Sequence, residues 1–431
     1  MMLDDAKNTD NKWWERANFY SLYIDQFAGD IPGLINKLLY FHTLGIDCLH
    51  LLPHYPSPMR DGGFDISDYT GVRPELGTRE DFQNLCTKAH ALNIKIMVDF
   101  VLNHTSNEHP WFIEARQSKT NPKRDFYIWS DTGNEFAGAP NPFPEFKESN
   151  WIWNEPTGDY YFATFKPSQP ELNWNNPHVF DALMAVLDTL VEYGIDGIRL
   201  DAITHLVEQE NTNFLGTPKT HAATKRIRLH IEQNYPHIVM LGEVIGSTEF
   251  SKQFFGETDE CHLAYNFELA SEILYAVKMG DKSDRLAAAV KAAQDIPKDT
   301  AWMSFLRNHD SIQLNTLGAE KSQAFVAAAD PHDTYKFAND TQTVQRLWHI
   351  CNEDPEIVKE AFTLLYSLPT ATVMYYGDEI GQKNAPLPPG ELDMRYTVRG
   401  AFDWTEAEKQ MNDPNSVFQH VKTLVQQRQR D

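Results

Sequence analysis

The chain has 431 residues, enough for one large domain with insertions or two to three smaller ones, and a net charge of -23 from 38 basic and 61 acidic side chains. That acidity disfavours nucleic acid and anionic membrane as partners, and no apolar run reaches the roughly 18 residues of a membrane span. The amino terminus has no apolar signal core, and Cys48, Cys86, Cys261 and Cys351 form no Cys-x-x-Cys motif, so buried free thiols and a cytoplasmic, reducing setting are expected. Ten tryptophans, 17 tyrosines and 25 phenylalanines suit stacking on sugar rings and suit a large core equally.

In chain order, residues 18–27 read as an aromatic-rich strand, followed by a turn and a helix over 34–44. A second strand covers 46–52, a helix capped by Thr78 covers 79–92, and a third strand covers 93–101. Between 105 and 177 the rhythm stops. That stretch is rich in Asn, Pro, Gly and aromatics, and more than 70 residues without structure do not fit inside a compact protein, so it reads as an inserted subdomain. The rhythm resumes with a helix over 179–193, a strand opening at 195 and ending on Arg199, Leu200 and Asp201, a helix over 220–235 and a strand over 237–242. Further strands are expected at 262–267, 302–306 and 370–376, with helices at 269–279, 355–368 and 417–428 and an irregular interval with helical pieces up to about 352. Eight parallel strands linked mostly by helices predict a (β/α)8 TIM barrel formed by 1–104 and 178–431, with 105–177 inserted after the third strand. A doubly wound sheet is the rival, but no Gly-x-Gly-x-x-Gly follows the first strand and the charged residues come off many strands.

A barrel takes its chemistry from strand ends. Those ends carry Asp99 with Asn103 and His104, Arg199 with Asp201, Glu243, and His309 with Asp310. Each has a structural alternative: Asp99 as a turn cap, the two histidines as satisfied core residues, Asp310 as a helix cap. Glu243, directly after an apolar strand, is the hardest to explain as structure. Carboxylates converging on a dry mouth repel one another, so one is held protonated while Arg199 keeps another ionised. A carboxylate nucleophile facing a carboxylic acid is the machinery of retaining glycoside cleavage.

The motifs Asp99-Phe-Val-Leu-Asn-His104, Gly197-Ile-Arg-Leu-Asp-Ala202, Glu243 and Phe305-Leu-Arg-Asn-His-Asp310 resemble those of the α-amylase superfamily, glycoside hydrolase family 13. So do Gln169-Pro-Glu-Leu-Asn173, Gly63-Phe-Asp-Ile-Ser-Asp-Tyr69 and Tyr375-Tyr-Gly-Asp-Glu-Ile-Gly381, and the likeness covers essentially the whole chain. It implies Asp201 as nucleophile, Glu243 as acid and then base, and Asp310 on the hydroxyls at C2 and C3 of the sugar. It also implies that Arg199 orients the nucleophile, that His104 and His309 hold ring hydroxyls, that Phe64 stacks on the sugar, and that Asp65 holds the sugar's nonreducing end. An arginine paired with Asp65 would close the pocket beyond one glucose, and Arg399 is expected in preference to Arg395. One structural Ca²⁺ is implied at the junction of barrel and insert, on Asn103, Glu171, Glu208 and the main-chain carbonyls of His205 and Leu206, all hard oxygen donors. No organic cofactor is implied.

Within the superfamily, Pro53-His-Tyr-Pro-Ser-Pro-Met-Arg-Asp-Gly-Gly63, Glu210 to His221 and Phe255 to His262 look most like trehalose synthase. Three departures point away from it. Phe64 replaces the usual tyrosine; Val244-Ile245-Gly246 replaces the Ala-Asn-Gln that follows the acid in trehalose synthases, which removes an amide from the leaving sugar. Only 27 residues follow Trp404, too few for the usual C-terminal β domain, which is expected to be absent. The resulting expectation is a retaining exo-acting α-glucosidase working on small α-glucosides or short maltooligosaccharides. The alternatives are a trehalose synthase or other glucosyl-transferring enzyme, and behind those an endo-acting α-amylase.

Overall fold

The computed structural model describes residues 12–281, 284–337 and 342–429, so the reading of the extreme amino terminus lies outside the described residues. Eight strands form a closed parallel barrel: β1 (Asn18–Leu22), β2 (Cys48–Leu51), β3 (Lys95–Val101), then, past β4–β6 of the insert, β7 (Gly197–Asp201), β8 (Val239–Gly242), β9 (Leu263–Tyr265), β10 (Ala301–Phe305) and, past the hairpin β11–β12, β13 (Ala371–Tyr375). Around the barrel the order is β1, β13, β10, β9, β8, β7, β3, β2, and pairing of Phe19 with Cys48 and Leu22 with Leu51 closes the ring.

Side chains alternate along each strand, so one set fills the barrel and the other meets the helices. Phe19, Cys48, Met97, Leu241, Tyr265 and Met303 pack together as part of the inner cluster. The helices outside are set by ordinary signals. Thr78 and Asp81 form a capping box on helix Arg79–His90, as expected of Thr78. Asn176 caps helix Pro177–Glu192, which buries Val179, Leu183, Leu187 and Leu190. The closing helix Val417–Arg428 packs on helices Ile31–Leu44 and Pro355–Tyr366.

The aromatic run read as a strand to residue 27 pairs only as far as Leu22, because β2 and β13 offer no partner beyond it; Ile24–Ala28 turns into a short helix. The insert carries β4 (Trp129–Ser130), β5 (Trp151–Asn154) and β6 (Asp159–Phe162) in an antiparallel sheet of order β4, β6, β5. Trp174 ties it to the barrel by donating to the Leu102 carbonyl at 2.8 Å. The interval read as irregular holds helix Ala319–Ala329 and a small hairpin of β11 (Lys336–Phe337) and β12 (Gln342–Thr343). No helix among the described residues is long and apolar enough to cross a membrane. All four cysteines are buried and free.

Candidate active site

The floor of the site is one guanidinium and three carboxyls. Asp99 on β3 is in register with Arg199 on β7, and the two-residue period sends Arg199 and Asp201 into the barrel together. Arg199 is 1% exposed. It donates through Nη1 to Asp99 and, at 2.8 Å, to Asp201, and through Nη2 to Glu243 at the end of β8. The Ala202 amide donates to Glu243 at 3.0 Å from a left-handed backbone with φ 46°, rare for a residue other than glycine and typical of strained functional turns. Burial, and then the neighbouring Glu243, push the Asp201 carboxyl well above the usual carboxylate range against the pull of Arg199. Asp201 therefore holds its proton to higher pH than an ordinary aspartate. Two carboxyls held on one guanidinium suit the close spacing, about 5–5.5 Å, of a double displacement.

Asp310 sits on the opposite wall. His309 Nε2 lies 3.1 Å from one of its oxygens, while Arg395 and Arg399 donate to the other at 3.1 and 2.8 Å. Burial opposes the charge, but His309, Arg395 and Arg399 outweigh it and hold the Asp310 carboxyl well below the usual range. The arginine pairing differs from expectation. Arg399 binds Asp310 and the His309 carbonyl, not Asp65. Asp65 does not line the cavity: it accepts from the Ser57 hydroxyl at 2.9 Å and from the amides of Arg60 and Asp61, so it braces the loop from beneath. The carboxylate that reaches the cavity is Asp61, paired with Arg395. Positive φ at Gly62 and Gly63 turns the chain between the two acids, and a Cβ at Gly62 would lie 2.2 Å from an Arg399 nitrogen. Lys166 from the insert closes the group by donating to Asp393 at 2.8 Å and to the Arg60 carbonyl at 2.7 Å.

His104 lines the cavity, yet both ring nitrogens are engaged: Nδ1 with Asn103 Oδ1 and Nε2 with the Gln169 amide, each at 2.9 Å. The Gln169 oxygen accepts from the Lys166 amide and its nitrogen also reaches Asp61, which fixes the amide's direction. A sugar hydroxyl binding His104 therefore has to displace Gln169. Phe64 is stacked on His309 with centroids 4.9 Å apart. These groups line a cavity of about 530 Å³, with Phe143, Phe165 and Phe337 above it.

The sequence reading set Arg395 behind Arg399, quoted Gln169 without a role, and gave no role to Asp61, Lys166 or His50. His50 Nε2 lies 3.2 Å from the Asp99 oxygen that Arg199 does not take, so imidazole and guanidinium flank Asp99 on two sides. With His50 replaced by Phe, Asp99 and through it Arg199 lose a restraint. We expect kcat to fall about tenfold or more with KM little changed, and His50→Gln to recover part of the loss, both read by steady-state kinetics.

An α-amylase catalytic domain model matches residues 4–344. This chain belongs to the α-amylase family. It is 38% identical over 410 residues to a trehalose synthase/amylase of Mycolicibacterium smegmatis, covering 92% of this chain and 68% of that protein. It is 31% identical over 445 residues to an oligo-1,6-glucosidase of Heyndrickxia coagulans, covering 95% and 74%. Among solved structures, an isomaltulose synthase variant from Erwinia rhapontici holding sucrose superposes with a TM-score of 0.77 at 26% identity, covering 97% and 84%. The protein is thus a family 13 enzyme that transfers or hydrolyses glycosyl groups.

Of the calcium donors expected from the family, two pairs are in contact: Glu171 with Glu208, and Asn103 with the His205 carbonyl. Glu171 and Glu208 are buried side by side, each with an oxygen that has no partner. Asn103 donates to the His205 carbonyl at 2.7 Å. Burial, and then the charge of Glu171, push the Glu208 carboxyl well above the usual range. Two orphaned anionic oxygens beside main-chain carbonyls fit a hard cation, although no group of three or more His, Cys, Asp or Glu with metal-holding geometry occurs among the described residues.

Proposed function

We propose that this enzyme is a retaining, exo-acting glucosyl transferase of the trehalose synthase kind, working on maltose-sized α-glucosides with hydrolysis alongside. The observation that carries the exo reading is the Asp61–Arg395 pair, buried beneath Phe143 and locked by Asp393 and Lys166. A locked, buried pair at the cavity supports a closed pocket and not the open path that an endo-acting enzyme needs for further sugar units. In this reading the Asp201 carboxylate attacks C1 of the terminal glucose as Glu243 gives its proton to the leaving oxygen. Asp310, held ionised by two arginines, takes the C2 and C3 hydroxyls and binds them more tightly as the ring flattens. An acceptor hydroxyl then attacks C1, returns a proton to Glu243 and frees Asp201.

Transfer is favoured over plain hydrolysis because the trehalose synthase/amylase relative is more similar to this chain, at 38%, than the oligo-1,6-glucosidase, at 31%. The departure at Ile245 supports a larger share of hydrolysis than in those relatives. Four reduced, buried thiols fit a cytoplasmic protein. The test is a timed product analysis with maltose, trehalose, sucrose and maltotriose. Maltose turning into trehalose, with glucose as the minor product, is expected; glucose rising in step with maltose loss and no trehalose would return the enzyme to the hydrolases.

We further propose that Asn103, Glu171, Glu208 and the carbonyls of His205 and Leu206 hold one Ca²⁺ that pins the insert to the barrel. Calcium at a hundredfold its Kd is expected to add about 2.7 kcal/mol of stability. Because Glu208 must give up its proton, the rise in Tm should be larger at pH 8 than at pH 6. Calorimetry with calcium and with a chelator checks both.

A further inference from the structure

We infer that Lys166 sets the length of sugar chain that the pocket takes: it fastens the insert to the Asp61–Arg395 pair, and without it the closed end opens to a second glucose unit. The inference rests on the exo reading above. Lys166 does not line the cavity. Its side chain is 7% exposed and stands behind the pair, so it acts by positioning. An ammonium carries three hydrogens to donate. That of Lys166 lies 2.8 Å from the Asp393 carboxylate, 2.7 Å from the Arg60 carbonyl and 3.4 Å from the Asp61 carboxylate. Arg60 and Asp61 belong to the loop after β2 and Asp393 to the loop after β13, so one insert residue joins two barrel loops. The ammonium also sits 4.7 Å from the ring centroid of Phe146, another insert residue.

Charge explains why the neighbours do not replace it. The cations Lys166, Arg395 and Arg399 face the carboxylates Asp61, Asp310 and Asp393. Arg395 touches all three acids. Without Lys166, two cations are left against three buried carboxylates, and Asp61 and Asp393 both draw on an arginine that Asp310 also holds. A buried acid that loses its partner is strongly destabilised where it stands, so the loop bearing Asp61 moves or takes up water. The insert's tie through the Gln169 amide to Asp61, at 3.0 Å, carries no charge to make up the loss. Phe143, which covers Arg395 at 4.7 Å, belongs to the same insert, so a loosened insert uncovers the pair as well.

The experiment uses a maltoheptaoside whose nonreducing O4 and O6 are bridged by an ethylidene group, which a pocket closed beyond one glucose cannot admit, with chain-length analysis of the products. The wild type is expected to leave it intact. Lys166→Met and Lys166→Gln are expected to cut it internally at least about tenfold faster than the wild type, the lower end of what one specificity contact is worth. Their kcat/KM for maltose should fall no more than about tenfold, short of the ~100-fold of a 1 Å misplacement. Lys166→Arg, which keeps the charge, should behave as the wild type. Should Lys166→Met fail to fold, as read by calorimetry, Lys166→Gln carries the test, since its amide can still donate to the Arg60 carbonyl. A blocked chain left intact by a variant that turns over maltose would overturn the inference alone. Cutting of the blocked chain by the wild type would overturn the exo reading and this inference with it.

Discussion

Asp201→Asn is expected to lower turnover of every glucoside by at least ~10,000-fold, the scale of losing a covalent nucleophile. Asparagine keeps the shape, and its carbonyl can still accept from Arg199 Nη1. What it lacks is the charge that forms the bond to C1. Folding should not suffer. The Asp201 charge is buried beside Glu243, and the upward push on its carboxyl says that the ionised form is disfavoured in this place. A neutral isostere removes that repulsion, so Tm is expected at or slightly above that of the wild type. Kinetics and calorimetry on the same preparation separate lost chemistry from lost structure.

Glu243→Gln is expected to cost about 100- to 10,000-fold with maltose, the range of general acid catalysis, and far less with α-glucosyl fluoride. A sugar leaving as an alkoxide needs the proton; fluoride departs as a stable anion. The pH profile carries a sign as well. Burial and the charge of Glu243 raise the Asp201 carboxyl well above the usual carboxylate range, and a nucleophile must be ionised, so wild-type turnover should rise with pH as that proton is lost. Glu243→Gln removes the neighbouring charge that helps raise Asp201, so the rise in its residual rate with the fluoride should move to lower pH.

The barrel was legible because apolar strands that end in charge are hard to explain in any other fold, and Asp201, Glu243 and Asp310 stood at such ends. The structure brings all three to one cavity. The choice between Asp61 and Asp65 was not legible. Both flank Gly62-Gly63-Phe64, and the backbone's left-handed turn, not residue type, decides which faces the cavity and which braces the loop. Arg395 and Arg399 likewise differ by four positions in a short 3-10 segment and its end, and both reach Asp310, but Arg395 alone of the two pairs with Asp61. Lys166 and Gln169 act through contacts more than 100 residues away in sequence, with Arg60 and Asp61, which no local pattern records. The β11–β12 hairpin has two residues per strand, too few for a period of two to show.

One experiment decides the chemistry. Incubation with 5-fluoro-α-glucosyl fluoride, acid quenching and peptide mass spectrometry would locate any sugar held covalently, since the ring fluorine slows release more than attachment. One fluoroglucosyl group on the peptide bearing Asp201, absent from Asp201→Asn, is the expected result. No adduct together with product of inverted configuration, or an adduct on Glu243, would contradict the assignment of Asp201 as the nucleophile of a retaining enzyme.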